Sequence, residues 1–513
     1  GAGQLLPLVE LITFSNRSLS PAQAAEYSVT PVQLLIGLLL PSAQGGHELV
    51  IYLGLIPLLI ALFGIRRRQP WSWFYGAIFL FSILFALGPA TPIHSLFYNF
   101  VPGFRWVRTP ARMFFVGAIA TSVLVGFGID RLCTTHWTEN AQQWLTRLAV
   151  IVGATALILG LGLAFLFGQV GRAPFALAIL IPVGLIAVVL RARQRIAPQW
   201  LVLLLGLLLY LDLASFAMSM MRFAPLSEAL AVGRSTAAYL AQQPDLFRVY
   251  SPSYSIPTQT AAAFNLQLAD GVEPVHLSIY DHFMAQAGGY HDAGFSVTIP
   301  HFGDAPLDIA LKDVEPDMRL LGLLNVVYVA AAFPMNWNGL RLVEEVDSIY
   351  IYRNTEALPR AWVAHQTCPS QPNWLTQLES LPNLADIVLV EETDKPLANA
   401  MPASSAEITA YGADHIAIET EIEAPGWLVV SELWYPGWQA TVNGSRQPVE
   451  KVDGLLRGIY LAEAGKYTIA LDYQPASVIW GNRLAWGTAV LLIGITVWRV
   501  GLRTKTSQSA GLF

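Results

Sequence analysis

From the N-terminus to about residue 217 the sequence alternates long apolar runs with short polar breaks. A helix that crosses a bilayer needs about 20 mostly apolar residues. Six runs in this part fit: HELVIYLGLIPLLIALFGI (47–65), WSWFYGAIFLFSILFALG (71–88), MFFVGAIATSVLVGFGI (113–129), LAVIVGATALILGLGLAFLFG (148–168), FALAILIPVGLIAVVL (175–190) and WLVLLLGLLLYLDLASFA (200–217). A seventh, VIWGNRLAWGTAVLLIGITVW (478–498), carries one internal charge, Arg483. The opening GAGQLLPLVELITF lacks a basic region or a small-residue cleavage site, so it does not read as a signal peptide. It reads as the end of a membrane helix, and the expectation is that the chain is the C-terminal part of a longer protein.

Between 218 and 476 the continuous apolar pattern stops. FRVYSPS (247–253) predicts a short strand entering a loop, and LRLVEEVDSIYIYRN (340–354) predicts two strands joined at Val346-Asp347-Ser348. Prolines and serines mark a break near 367–404. From 405 the pattern is all-β. AEITAYGADHIAIETEI gives two alternating strands around Gly412-Ala413-Asp414, GWLVVSELW a third, and GIYLAEAGKYTIALDY a further pair. Asn443-Gly444 is a strong hairpin signal. The predicted fold is an α-helical polytopic membrane bundle with an extracytoplasmic α/β region and a C-terminal β-sandwich-like domain. The expected boundaries are a membrane domain over 1–217, an α/β domain over 218–404, a β-sandwich-like domain over 405–476, and a last span with its tail over 477–513.

Composition agrees with a membrane location. Of 513 residues 54% are hydrophobic and 13% charged, against about 25% charged in soluble domains. Mean hydropathy is +0.48. A net charge of −6 argues against general nucleic-acid affinity, so no nucleic-acid partner is expected. Two cysteines, Cys133 and Cys368, cannot form a disulfide framework. Lys and Arg in short loops set orientation. Arg66–Arg68, Arg131 with Arg147, Arg191 to Arg195, and Arg499 to Lys505 all fall on one side if the spans alternate. That side is the cytoplasm, which places 218–476 outside a plasma or inner membrane and the C-terminus inside.

The stretch VPGFRWVRTPAR (101–112) departs from this rule, because it puts Arg105, Arg108 and Arg112 in an outer loop. Two readings stand side by side. The arginines pair with acidic side chains or lipid headgroups, or they form an anion site, since a guanidinium fork suits phosphate and stays charged. Pro102, Gly103 and Pro110 keep the segment from forming a regular helix.

YLGLIPLLIALFGI, LFALGPATPIHSLFYNFVPGFRWVRTPARMFFV and GFGIDRL resemble the membrane core of bacterial YfhO-family proteins, relatives of the GT-C glycosyltransferases that use polyprenyl-phosphate sugars. GQLLPLVELI (3–12), ADGVEPVHLSIYDHF (269–283), LLGLLNVVYV (320–329), IYIYRNTEALPRAWV (349–363), WYPGWQATVNG (434–444) and LLRGIYLAEAGKYTIALDYQP (455–475) follow in the family's order. The resemblance implies that Arg105, Arg108 and Arg112 hold the donor phosphate. It also implies that a polyprenyl-phosphate-linked sugar, an envelope glycan acceptor and membrane lipids are partners. GT-C enzymes keep their metal-binding and catalytic acids in a first outer loop that has no counterpart here, so no catalytic residue and no cofactor is assigned to this sequence.

Trp434, Tyr435 and Trp438 are dense enough to offer stacking platforms for sugar rings, a role that competes with core packing and interface anchoring. His276, His282, His291 and His301, with Asp281, Asp292 and Asp304, show no recognised metal spacing, and no metal site is assigned. Asp270, Glu273 and Asp281 are candidates to line a cleft, and Asp212, near the outer end of the sixth run, is expected to face the bundle interior, with Arg483 as a candidate partner. Two functions are expected: sugar transfer from a polyprenyl phosphate to an outer-face envelope glycan, or non-catalytic binding of glycan or lipid by a membrane-anchored envelope protein.

Overall fold

The structure is a computed structural model that describes residues 1–40, 47–66, 69–167, 175–221, 223–272, 275–291, 298, 312–391, 395 and 401–509, without the side chains of 47, 219 and 500–509. About half of these residues are helical. The chain forms two compact units, one over Ser18–Ala224 and one combining Gly1–Arg17 with Pro225–Phe513.

The first unit is helical. Ser20 and Thr30 open its first two helices with reciprocal capping boxes to Gln23 and Gln33. Proline stands at the start of the helices Pro70–Ala86, Pro92–Phe100 and Pro198–Met220, where its missing N–H has no intrahelical partner to lose. Helices Leu55–Gly64 and Phe114–Thr134 approach through glycine. A Cβ on Gly64 would lie 2.1 Å from the Leu124 carbonyl oxygen, and one on Gly128 2.2 Å from that of Ile60. Small residues that let backbones meet are the usual means of joining helices where lipid removes the hydrophobic drive.

Among the described residues, four helices are long and apolar enough to cross a membrane: Pro110–Thr134, Glu139–Phe165, Pro198–Met218 and Ala476–Arg499. The other three predicted spans are shorter apolar helices, Leu55–Gly64, Pro70–Ala86 and Ala176–Ala192. The 47–65 run shortens the most. A 3₁₀ turn at His47–Leu49 and irregular residues precede Gly54, whose φ of +84° breaks the helix. In this stretch Tyr52 donates to both Asp212 oxygens, at 2.8 and 2.9 Å. Hydropathy alone cannot see such a tertiary hydrogen bond.

In the second unit, helix Ala2–Phe14 packs on the long helix Ala476–Ser509. A Cβ on Gly481 would lie 2.6 Å from the Ala2 carbonyl oxygen, and Ser477 hydrogen-bonds Glu10. Arg483 on this long helix stands over the Trp480 ring, 5.0 Å from its centroid. Two sheets follow. The first contains β1 (Arg248–Tyr250), β2 (Gln267–Leu268), β3 (Val326–Ala331), β4 (Leu340–Val346) and β5 (Ile349–Asn354) in the order β2-β1-β3-β5-β4. β1 runs parallel to β2 and β3, and the remaining pairs are antiparallel. The β4–β5 turn falls on Asp347 and Ser348, both at positive φ, as the sequence predicts.

The second sheet is large and curled. It is built from β6 (Ala361–Ala364), β7 (Gln366–Pro369), β8 (Ile387–Val390), β9 (Ser404–Tyr411), β10 (His415–Ile422), β11 (Gly426–Leu433), β12 (Trp438–Val442), β13 (Ser445–Gln447), β14 (Glu450–Val452), β15 (Leu456–Leu461) and β16 (Gly465–Tyr473). Their order is β13-β12-β16-β10-β9-β6-β11-β15-β14-β8-β7. Asn443 and Gly444 make the expected hairpin turn, with φ of 48° and 82°. Two expectations are corrected. β15 and β16, read as a pair, do not pair with each other: β15 joins β11 and β14, and β16 joins β10 and β12. The 367–404 stretch does not end the sheet either, because β7, a helix at Trp374–Ser380 and β8 lie within it. β6 and β11 are buried on both faces. Ala361, Val363, Leu428 and Val430 face one core, and Trp362, Ala364, Trp427 and Val429 face another.

Asp453, at the turn between β14 and β15, accepts the Leu389 N–H at 2.8 Å, while its other oxygen is buried without a hydrogen-bond partner among the described residues. Burial pushes its pKa up to about 7. A folded pKa above the unfolded value near 4 gives stability that is full below pH about 4 and is lost as pH rises toward 7. Asp453→Asn keeps the acceptor and removes the titration. We expect it to raise the thermal midpoint above pH 7 and to leave it nearly unchanged near pH 4, read by unfolding scans of the detergent-solubilised chain.

Candidate functional site

The arginine loop lies within the first unit and is held by its own contacts. Short 3₁₀ turns at Phe104–Trp106 and Pro110–Met113 replace a regular helix, with Gly103 and Thr109 at positive φ. Arg105 lies 5.5 Å from the Tyr98 ring centroid, and its carbonyl accepts the Leu19 N–H. Arg108 pairs with Glu26 at 3.4 Å. Arg112 closes its fork on Glu48: Nε donates to one carboxylate oxygen at 2.7 Å, and the second arm reaches the other. The three head groups thus have three different neighbours. Glu26 and Glu48, from segments that precede the loop, supply the carboxylates for two of them.

The second unit holds a denser charged cluster where its two sheets meet. Glu432, at the end of β11, is its centre. Arg248 on β1 contacts one Glu432 oxygen at 3.0 Å, and Arg360, just ahead of β6, lies 3.3 Å from the other. Tyr411 at the end of β9 donates to that second oxygen at 2.7 Å. Arg248 also donates to the carbonyls of Leu324 and Ser431, at 2.8 and 2.7 Å. Arg360 donates to Gln267 on β2 and, at 3.3 Å, to Tyr411. Arg457 on β15 gives Nε to the Leu433 carbonyl at 3.0 Å and sits over Trp438, its Cζ 3.7 Å from the ring centroid. Burial alone would raise the Glu432 carboxyl, but Arg248 and Arg360 outweigh it and hold it below its ordinary value. Burial pushes Arg457 down to about 10. Among the described residues, Nη1 of Arg360 and Nη1 of Arg457 are buried without a hydrogen-bond partner.

Beside this cluster opens a pocket of about 340 Å³, lined among others by Gln267, Tyr411, Glu432, Trp438 and Arg457. Of the three aromatic residues expected to stack on sugars, only Trp438 lines it. Trp434 donates its indole N–H to Val449, and Tyr435 packs edge-on against Phe14. Even Trp438 presents an arginine-capped ring, because Arg457 covers one face and Tyr473 lies 5.2 Å away. The sequence reading missed Arg248, Arg360, Glu432 and Arg457. A usable signal was present: Glu432 in VVSELW and Arg457 in LLRGIYL are single charges in otherwise apolar strands.

A smaller pocket of about 250 Å³ is lined by Asp270, His276 and Tyr280. Asp281 holds the His276 Nδ1 at 2.8 Å and takes a hydrogen bond from Asn16. Burial raises Asp270 to about 7, although it accepts the Ser251 N–H at 2.7 Å. Glu273, Asp292, His301 and Asp304 lie outside the described residues. Among the described residues no three His, Cys, Asp or Glu side chains gather as metal ligands would.

Removing Glu432 would leave Arg248, Arg360 and Arg457 facing one another in a buried site. Breaking a buried ion pair in this way costs about 3–5 kcal/mol. Glu432→Gln is therefore expected to lower stability by that order at neutral pH. A depressed folded pKa gives stability present above the ordinary carboxylate value near 4 and lost as pH falls through the folded pKa. The variant should accordingly lose less stability than the wild type on acidification, as measured by chemical unfolding across pH.

Comparison of the chain with known protein families, with curated proteins and with solved structures gives no match.

Proposed function

We propose that this chain is a membrane-anchored protein of the bacterial envelope that binds a glycan outside the membrane. The observation that carries the reading is the Trp438 pocket, where the indole stands beside an amide, a phenol, a carboxylate and a guanidinium. Pockets that mix apolar walls with a few placed polar groups suit small polar ligands, and sugars with their apolar faces and hydroxyl rims fit that mixture. Membrane anchoring is supported by helices whose apolar faces are bare. Of the apolar window in Ala476–Arg499 only 6% is buried, and Phe165 and Trp486 are 88% and 73% exposed. Such surface is costly in water and at home in lipid. We read the helical unit as a polytopic bundle, with the arginine-rich short loops cytoplasmic and the two-sheet region outside the membrane.

The resemblance to the YfhO family and GT-C enzymes extends this reading to sugar transfer from a polyprenyl phosphate onto an envelope glycan. Arg105, Arg108 and Arg112 are then the groups for the donor phosphate. The supporting feature is chemical. Arg112 already makes a two-armed contact with the Glu48 carboxylate, a geometry a phosphate shares.

Both parts are tested with the full chain in nanodiscs. For the glycan, calorimetric titration with envelope-derived oligosaccharides should show binding that Trp438→Ala weakens about tenfold, or 1.4 kcal/mol. Unchanged binding in the variant removes the pocket from the function. For the donor, a polyprenyl phosphate should bind the wild type more tightly than Arg108→Ala. Equal affinity leaves the loop arginines as purely structural partners of Glu26 and Glu48.

A further inference from the structure

We propose that the Trp438 pocket selects a sugar that carries an oxyanion, a carboxylate or a phosphate, and that Arg457 reads its charge. This rests on the glycan reading and names the class of sugar within it. The argument begins with charge. Three guanidinium groups, Arg248, Arg360 and Arg457, surround the single carboxylate of Glu432, and all are largely buried. That carboxylate is already committed. One oxygen is held by Arg248, and the other by Tyr411 with Arg360 close by. Positive charge is therefore in excess in the cluster that backs the pocket, whose wall holds Glu432 and Arg457, and excess buried charge is expensive unless a counter-ion balances it.

The hydrogen bonds point the same way. Arg457 is 6% exposed and Arg360 4%, and each keeps a buried Nη1 without a hydrogen-bond partner among the described residues. Buried guanidinium N–H groups are normally satisfied, and an orphan in a native site calls for a missing ligand or water. Arg457 is also built to present its donors. Its Cζ lies over the Trp438 ring, 3.7 Å from the centroid, its Nε is tied to Leu433, and its side chain forms part of the pocket wall. Held at both points, the guanidinium loses little freedom when an oxyanion accepts from it. Lys395 and Lys451 do not contribute to this excess, because they pair with Glu450 and Glu391. The pocket volume of about 340 Å³ lies at the small end of ligand sites, which suits the end of a glycan chain rather than an extended polymer.

The test uses the full chain in nanodiscs of zwitterionic lipid, titrated by calorimetry with glucose, glucuronate and glucose 6-phosphate, and with acetate and inorganic phosphate alone. One of the two acidic sugars should bind at least tenfold more tightly than glucose, and which one does so identifies the oxyanion. That preference should shrink as salt rises. Arg457→Gln should abolish the preference, so that glucose and the acidic sugars bind alike, and Arg457→Lys should restore part of it. Equal binding of glucose and both acidic sugars overturns the inference and leaves glycan binding standing. Acetate or phosphate binding as tightly as the acidic sugars also overturns it, since the site would then read anions without sugar. Failure of every sugar to bind rejects both the inference and the glycan reading. Should Arg457→Gln fail to fold, Arg457→Lys still decides: an acidic preference unchanged from the wild type refutes a role for the Arg457 fork.

Discussion

Glu432 sits where the two sheets of the second unit meet, and its carboxylate ties them together. Arg248 comes from the five-stranded sheet, while Arg360, just before β6, and Tyr411, at the end of β9, come from the eleven-stranded sheet. A lone buried carboxylate would be forced to neutralise, and a lone buried guanidinium would be still more costly. Each group is tolerable only because the others are present, so the relative placement of β1, β9 and β11 is fixed by a mutual requirement. The same requirement leaves charge over. Three cations against one anion make a stable scaffold whose last member, Arg457, is only partly satisfied, and a binding pocket lies beside that residue.

Hydrophobic packing supplies the frame on which this cluster rests. Strands β6 and β11 carry apolar side chains on both faces, so they sit inside the curl and bury residues in two cores at once. The charged groups occur at the ends of those strands, where the apolar pattern gives out: Arg360 just before β6 and Glu432 at the end of β11. In the helical unit, close approach is achieved by removing side chains instead. Gly64 and Gly128 let two helices touch backbone to backbone, a contact that any Cβ would prevent.

The loop of Arg105, Arg108 and Arg112 shows how one pattern supports two roles. As a cluster of like charges it should repel itself, yet Glu26 and Glu48 divide it into separate pairs and Arg105 rests on an aromatic ring. The pairing is what holds an irregular, proline-broken segment in place. A donor phosphate at this loop would meet arginines already ordered by carboxylates rather than a free basic patch.

Local chemistry was legible in the chain. Apolar runs marked the helices, because a helix long enough to span lipid must be apolar along its length. Asp347-Ser348 and Asn443-Gly444 marked hairpins, because those residues tolerate the positive φ that the turns require. Tertiary structure alone decided the rest. The run at 47–65 becomes helical only at Leu55, after an irregular stretch in which Tyr52 bonds Asp212, distant in sequence. β15 and β16 follow one another in the chain yet pair with other strands, because sheet order depends on which distant faces bury together. Glu432 and Arg457 stood out as single charges in apolar strands, but nothing local tells which arginine meets which carboxylate. Period and turn residues act over a few positions, whereas a buried charge finds its partner only after folding has brought remote segments within reach.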